Sequence, residues 1–117
     1  VPTEPKYDVV LADSVFQYFN DAAYGQKVLE RMWAKTEKMV VVTEVHDQEK
    51  KDEHMAYRRK CVENYDEVYA GLDKTFYTRE MFLQFAEEHG GRCEIVQPDN
   101  ELYWNNRFVF DCYLYKE

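Results

Sequence analysis

Apolar residues along the chain fall into short runs of strand length, separated by longer amphipathic stretches. Residues 7–13 open as a mostly apolar strand and end abruptly in polar residues. Residues 38–45, KMVVVTEV, form a β-branched run whose apolar residues are continuous, which is typical of a parallel strand covered on both faces. Residues 92–97 and 107–116 have a similar strand-like composition. The pattern predicts four strands.

Helical patterns fill most of the intervals between these strands. Residues 20–35 begin with an Asn-Asp pair that can cap a helix and continue with apolar residues on one face. Residues 46–72 are highly charged and helical in character, and residues 78–89 form a further helix after a threonine cap. Strands that alternate with helices predict a layered α/β fold with a parallel sheet. The last two strands have no helix between them and are expected to pair antiparallel.

The charge and hydropathy of the chain narrow the classes of partner. Its formal net charge is −8, whereas a nucleic-acid-binding face has to be basic to neutralise phosphates, so no nucleic acid is expected. No apolar run approaches the ~20 residues that a membrane span requires, and no signal peptide pattern precedes the first strand. The sequence predicts a soluble, cytoplasmic protein with no membrane partner.

Three cysteines, Cys61, Cys93 and Cys112, are widely spaced along the chain. Their number is odd and no CxxC motif occurs, so neither a disulfide framework nor a zinc knuckle is predicted. We expect reduced, mostly packed thiols.

Three stretches, taken in order, resemble a known family. They are YDVVLADSVFQYF at residues 7–19, MVVVTEVHD at residues 39–47, and the helix and two strands of residues 78–117. Together they resemble the C-terminal half of a class I S-adenosylmethionine-dependent methyltransferase. The resemblance implies a partial Rossmann-like fold with a mainly parallel sheet of about four strands and helices on its faces. It places the last strand between the second and third, antiparallel to both.

The same resemblance implies a ligand site where the first strand ends, because open α/β sheets bind ligands at the carboxyl ends of their strands. It implies that Asp13, Ser14 and Gln17 line the methionine end of S-adenosylmethionine. The alternative is that Asp13 and Ser14 only cap a turn. Nearby aromatic residues are candidates either for a wall of the site or for the core: Phe16, Tyr18 and Phe19.

The glycine-rich loop of the resembled family has no counterpart in the sequence. The chain has four glycines and no G-x-G motif, so the elements that would hold adenosine and ribose are missing. Residues 1–117 are therefore expected to be the C-terminal portion of a methyltransferase-like domain, or a segment that works without the cofactor half.

The motif TEVHD places Glu44, His46 and Asp47 at the end of the second strand, on the expected ligand side. A carboxylate beside a histidine can serve as a general base or orient a substrate, so Glu44 and His46 are candidate substrate-binding residues. Strand alternation puts these two on one face and Asp47 on the other, and two ligands without a third make a poor metal site. The alternative is turn formation and helix capping by Asp47.

Further substrate-side candidates lie outside the sheet. Tyr57 and Arg58 fall in the charged insertion, where Arg58 can clamp a carboxylate or phosphate or else pair with Glu53 or Glu63. Arg107 lies in an aromatic, amide-rich loop that predicts either a substrate wall or a hairpin connection.

The first functional interpretation is the substrate-side, C-terminal segment of a small-molecule methyltransferase, incomplete for catalysis alone. The alternative is a non-catalytic methyltransferase-like binding or assembly module, and a third is an unrelated small α/β domain. No nucleophile motif is found, and no catalytic residue is assigned. The expected partner is a second copy, a domain-swapped copy, or a missing N-terminal half.

Overall fold

The computed structural model describes residues 5–68, 70, 74–98 and 104–116. The chain folds into four strands, four helices and three short 3-10 turns within these ranges. The strands are β1 Tyr7–Asp13, β2 Thr36–His46, β3 Gly91–Val96 and β4 Val109–Lys116. The helices are α1 Ala22–Lys35, α2 Lys51–Cys61, α3 Tyr65–Val68 and α4 Arg79–Glu88. The 3-10 turns are Phe16–Tyr18, Gln48–Lys50 and Trp104–Phe108.

The sheet has the strand order β1-β2-β4-β3. β1 pairs parallel with β2, and β4 pairs antiparallel with both of its neighbours. The predicted α/β fold and the insertion of the last strand between the second and third are therefore confirmed. The predicted fourth strand began too early, because residues 107 and 108 belong to the 3-10 turn that leads into β4.

One face of the sheet carries the hydrophobic core. α1 and α4 both pack on this face, and the ring centroids of Trp33 and Phe85 lie 5.8 Å apart in an edge-to-face contact between the two helices. Burial of such large apolar side chains is the main favourable term in folding. The core contains residues from both helices, from β2 and β4, and from two connecting segments: Phe16, Leu29, Met32, Val40, Val42, Val45, Tyr77, Phe82, Phe85, Ala86, Phe110, Cys112 and Leu114.

The opposite face of β1 is open within the described part of the chain. Val9 and Leu11 point away from the core face and remain 47% and 60% exposed. Leu11 pairs in register with Val41, which pairs in turn with Tyr113, so these three side chains form one row across the sheet. An apolar row that ends in exposed strand residues is typical of a surface that another chain segment covers.

The helix caps follow the sequence, whereas the charged segment does not form one helix. The Asp21 carboxylate accepts a hydrogen bond from the amide of Tyr24, and the Thr78 hydroxyl accepts one from the amide of Met81, as predicted. The described residues of this segment form the 3-10 turn Gln48–Lys50, α2 and α3, with Asn64 at a φ of 57° between the two helices. A non-glycine residue in the left-handed region interrupts a right-handed helix.

Tyr77 ties the turn after β1 to the core. Its hydroxyl donates a 2.8 Å hydrogen bond to the carbonyl oxygen of Phe16, and the neighbouring Thr75 amide donates one of 2.8 Å to the carbonyl oxygen of Gln17. A Cβ atom at Gly25 would lie 2.6 Å from the Tyr77 ring, so only glycine allows α1 to approach this closely. These contacts fix the segment that carries the candidate site.

Candidate functional site

The carboxyl ends of β1 and β2 meet at one edge of the sheet and bring three of the predicted residues together. The Ser14 hydroxyl donates a 2.7 Å hydrogen bond to Glu44 Oε2, and Gln17 Nε2 donates one of 2.9 Å to the Ser14 oxygen. Ser14 and Glu44 both adopt positive φ values, 58° and 54°. Such backbone costs energy in a non-glycine residue and is concentrated at functional sites.

A β-bulge explains why Glu44 reaches this edge. The pairing of β2 with β4 shifts between Val42 and Val45, and both of these valines face the core. The extra residue breaks strand alternation at Glu44. The prediction that Glu44 and His46 share a face stays a prediction, since the extra residue lies between Val42 and Val45 and the two residues flank Val45.

Two further carboxylates flank Glu44. Asp13 accepts a hydrogen bond from the Thr43 hydroxyl, and Asp111 Oδ1 accepts one of 3.0 Å from the Glu44 amide. Burial raises the pKa of the Asp111 carboxyl, and the charges of Glu44 and Asp13 add to this rise, while the Glu44 amide opposes it. Asp13, Glu44 and Asp111, with the neighbouring Ser14, Gln17 and Thr43, are called the carboxylate edge below. This group concentrates negative charge, which suits a ligand that carries positive charge.

Gln17 is an under-satisfied polar group at the same edge. Its side chain is only 4% exposed, and its Oε1 atom has no hydrogen-bond partner among the described residues. A buried acceptor left unsatisfied costs about 1–3 kcal/mol. A ligand that donates a hydrogen bond at this position would remove that cost.

The aromatic residues of the turn after β1 take separate roles. Phe16 is fully buried, with its ring 5.6 Å from that of Tyr77 and 6.2 Å from that of Phe82, so it belongs to the core. Phe19 packs partly buried against the same core. Tyr18 is 64% exposed and remains the one aromatic of the turn that a ligand can readily contact.

His46 lies inside an aromatic cluster. Its side chain is 2% exposed, with its ring centroid 4.7 Å from that of His54 and 5.3 Å from that of Phe76. Burial lowers the pKa of His46 to about 3, with the nearby His54 and Arg58 adding to the effect. His46 is therefore neutral at physiological pH, and the predicted Glu44–His46 pair is divided between two environments.

Asp47 caps a turn, which was the alternative to a ligand-binding role for the TEVHD motif. Its Oδ1 atom accepts a 3.0 Å hydrogen bond from the Glu49 amide at the start of a 3-10 turn. Its Oδ2 atom lies 3.2 Å from Arg79 Nη2 in a largely buried ion pair. Asp47 thus anchors the segment between β2 and α2 to the start of α4.

Tyr57 and Arg58 lie on α2, and Arg107 lies in the 3-10 turn that precedes β4. Arg58 Nε donates a 3.0 Å hydrogen bond to His54 Nε2. The Arg107 guanidinium lies 5.1 Å from the centre of the Tyr57 ring. Tyr57 lines two shallow cavities, of about 320 Å³ with Arg58 and about 360 Å³ with Arg107.

Sequence reasoning missed two members of the carboxylate edge and the buried His54. Asp111 interrupts an otherwise apolar strand, FVFDCYLY, and that lone acid was a usable signal. Thr43 and His54 gave no comparable signal.

Among the described residues, no group of three or more His, Cys, Asp or Glu side chains could hold a metal ion. No helix in the described part of the chain is both long and apolar enough to cross a membrane.

Comparison with known proteins supports the fold assignment. No family model matches the chain, and no curated protein matches it. Among solved structures, it is similar to magnesium protoporphyrin IX methyltransferase (ChlM) from Synechocystis PCC 6803, crystallised with bound SAH, at a TM-score of 0.66 and 7% identity. The similarity covers 96% of this chain and 46% of that one, so the chain spans about half the length of that methyltransferase. At this identity the likeness shows a shared α/β fold.

Asp111 gives the site a testable pH dependence. Because its pKa is raised above 3.8 in the folded state, the folded chain binds more protons than the unfolded chain between 3.8 and the folded pKa. Stability from this group therefore falls as the pH rises through that window. We expect Asp111→Asn to become more stable relative to the wild type on going from about pH 3 to about pH 7, as measured by urea unfolding. Glu87→Gln controls for net charge, and a relative stability of Asp111→Asn that does not change with pH would contradict the prediction.

Proposed function

We propose that the chain is the C-terminal, substrate-side segment of a small-molecule S-adenosylmethionine-dependent methyltransferase, incomplete for catalysis alone. The observation that carries the proposal is the Ser14–Glu44–Gln17 hydrogen-bond network at the carboxyl edge of β1 and β2. It stands where ligands bind in open α/β sheets, in a fold shared with part of a methyltransferase.

The residues present fit the methionine end of the cofactor. In this proposal Asp13, Ser14 and Gln17 hold that end, because carboxylates suit its positive charges and the buried Gln17 Oε1 needs a hydrogen-bond donor. When bound, S-adenosylmethionine supplies an electrophilic methyl group, so the protein chiefly has to align the acceptor with it. The adenosine and ribose are assigned to a segment other than the described residues.

The substrate-side residues divide by accessibility. Glu44 is the candidate to orient or deprotonate the acceptor, because its carboxylate lies at the ligand edge. Tyr57, Arg58 and Arg107 are proposed to contact more distant parts of a small-molecule substrate. His46 is proposed to position Arg58 indirectly, since its ring packs on His54, which accepts a hydrogen bond from Arg58.

A test uses the full gene product that contains this chain. We expect it to bind S-adenosylhomocysteine in calorimetry, and Ser14→Gly to weaken that binding by about tenfold. Glycine tolerates the positive φ, so this substitution removes mainly the hydroxyl that joins Gln17 to Glu44. Glu94→Gln, on an exposed position of β3, is the matched control and leaves binding unchanged. A gene product of full length that does not bind the ligand would refute the proposal.

The open face of β1 favours a second candidate function. Val9 and Leu11 remain largely exposed on a strand whose outer edge has no partner among the described residues. A non-catalytic module that assembles with another chain through this surface would account for both features. The proposed occupant is an N-terminal half of the same protein, a second copy, or a domain-swapped copy.

A further inference from the structure

A cavity of about 480 Å³ lies between the start of α2 and the segment that precedes α4. Its volume falls in the range of about 300–1,000 Å³ that small-molecule sites occupy. Its wall is contributed by residues far apart in the sequence: Lys51, Asp52, Met55, Arg59, Lys74 and Phe76.

The cavity lies on the same side of the sheet as the carboxylate edge. α2 begins one 3-10 turn after the end of β2, so Lys51 follows the carboxyl end of that strand. Lys74 precedes Thr75, whose amide donates a hydrogen bond to the carbonyl oxygen of Gln17, in the turn after β1. The Lys74 ammonium also lies 4.2 Å from the centre of the exposed Tyr18 ring. Two lining residues of the cavity, Lys51 and Lys74, therefore belong to segments that follow β2 or contact the turn after β1.

Positive charge dominates the wall, although the chain as a whole carries −8. Three of the six lining residues are cations, Lys51, Arg59 and Lys74, and Asp52 is the one acid among the six. Within the described ranges, neither lysine makes an ion pair with a carboxylate. Arg59 pairs with Asp66 at 3.1 Å, but both side chains are more than half exposed, and such pairs contribute about 1 kcal/mol or less. A bound anion therefore competes only with one exposed ion pair and with the ring contacts of the two lysines.

The wall also has an apolar side. The Phe76 ring is buried and lies 5.4 Å from the Lys51 ammonium, and Met55 lines the cavity beside it. Methionine adapts its shape to irregular ligands, and an aromatic ring offers a flat packing surface. A ligand that fits has an anionic group attached to an apolar body.

The state of Lys74 agrees with this chemistry. Burial lowers the pKa of the Lys74 ammonium, and the charge of Arg58 lowers it further. A bound anion would offset both effects, since opposite charge favours the ionised form of a lysine.

We propose that this cavity binds the carboxylate or phosphate group of an anionic organic molecule through Lys51, Arg59 and Lys74, with its apolar body against Phe76 and Met55. The inference rests on the proposed function and adds the chemical class of the substrate: the methyl acceptor is an organic anion. Carboxylate and phosphate share the oxyanion chemistry that Lys and Arg recognise.

The test is a titration of the chain followed by NMR, with three probes: benzoate, inorganic phosphate and benzamide. We expect saturable shifts at the amides of Lys51, Met55 and Lys74 with benzoate or phosphate, and none with benzamide, which has the same ring without the charge. Tighter binding of benzoate identifies a carboxylate ligand, and tighter binding of phosphate identifies a phosphate ligand. Equal shifts with benzamide, or no saturable shift with either anion, would overturn the inference.

Three variants localise the binding. The double variant Lys51→Gln and Lys74→Gln is expected to weaken anion binding at least tenfold, whereas Lys38→Gln, near the start of β2, leaves it unchanged. Asp52→Asn is expected to tighten binding several-fold, because it removes the one acidic group from the wall. Since these effects have opposite signs, loss of folding cannot mimic both. An equal effect of Lys38→Gln, or no gain from Asp52→Asn, would contradict the proposal.

The experiments can refute the methyltransferase proposal and the anion-site proposal independently of each other. If the full gene product binds S-adenosylhomocysteine but the chain binds neither anion, the anion site is wrong and the methyltransferase proposal stands. If the anions bind as expected but S-adenosylhomocysteine does not, the cavity is an anion site in a protein that is not a methyltransferase.

Discussion

Calorimetric titration of the isolated chain with S-adenosylmethionine is expected to give weak binding or none. Under the methyltransferase proposal, the described residues offer partners for the methionine end alone, through Asp13, Ser14 and Gln17. Adenosine and ribose gain most of their affinity from a glycine-rich loop and the helix terminus behind it, and the chain has no G-x-G motif. Several kcal/mol of binding free energy are therefore missing, and each 1.4 kcal/mol lowers affinity about tenfold.

The full gene product provides the comparison for this titration. Under the methyltransferase proposal it binds the cofactor at least about a hundredfold more tightly than the isolated chain does. Ser14→Gly then weakens binding in the full product and has no measurable effect in the chain. A micromolar dissociation constant for the isolated chain would contradict this prediction and would require a site built by association between copies.

The sheet could be predicted from the sequence because its determinants are local. β1 is a single apolar run that ends where polar residues begin, and its predicted bounds match the strand at Tyr7–Asp13. The continuous apolar run of β2 correctly indicated a parallel neighbour. The helix caps at Asp21 and Thr78 depend on one side chain and the next turn of backbone, so they too could be predicted from the sequence.

The site was only partly predictable because its geometry depends on register and on distant segments. The edge at Ser14 was located, but the bulge that turns Glu44 toward it arises from the pairing of β2 with β4. The same pairing brings Asp111 to the Glu44 amide, across 67 positions of sequence. No periodicity within one segment encodes such a contact. The cavity lined by Lys51 and Lys74 could not be predicted either, because it also joins segments that are distant in the sequence.

The chain is also expected to associate in solution through β1. One row of backbone donors and acceptors on this strand has no partner within the described sheet, beside the exposed Val9 and Leu11. Unpaired apolar edges template pairing with another chain, and each buried unpaired backbone group costs about 1–3 kcal/mol. Leu11 pairs across the sheet with Val41, which is itself buried, so the exposed apolar surface is that of Val9 and Leu11 on β1. We expect a dimer, a domain-swapped pair, or a complex with an N-terminal half of the protein.

Light scattering at about tens of micromolar tests this association, together with hydrogen exchange at residues 8–12. Leu11→Lys places a charge on the edge strand and is expected to shift the chain toward monomer, because edge lysines oppose strand pairing. Leu83→Lys is the matched control: Leu83 is 46% exposed on α4, far from the β1 edge, and the substitution leaves the oligomeric state unchanged. The surface is wrongly assigned if the wild-type chain is a monodisperse monomer whose amides at residues 8–12 are folded yet exchange fast. It is also wrongly assigned if both lysine variants dissociate the assembly equally, since a general rise in repulsion would then explain the loss.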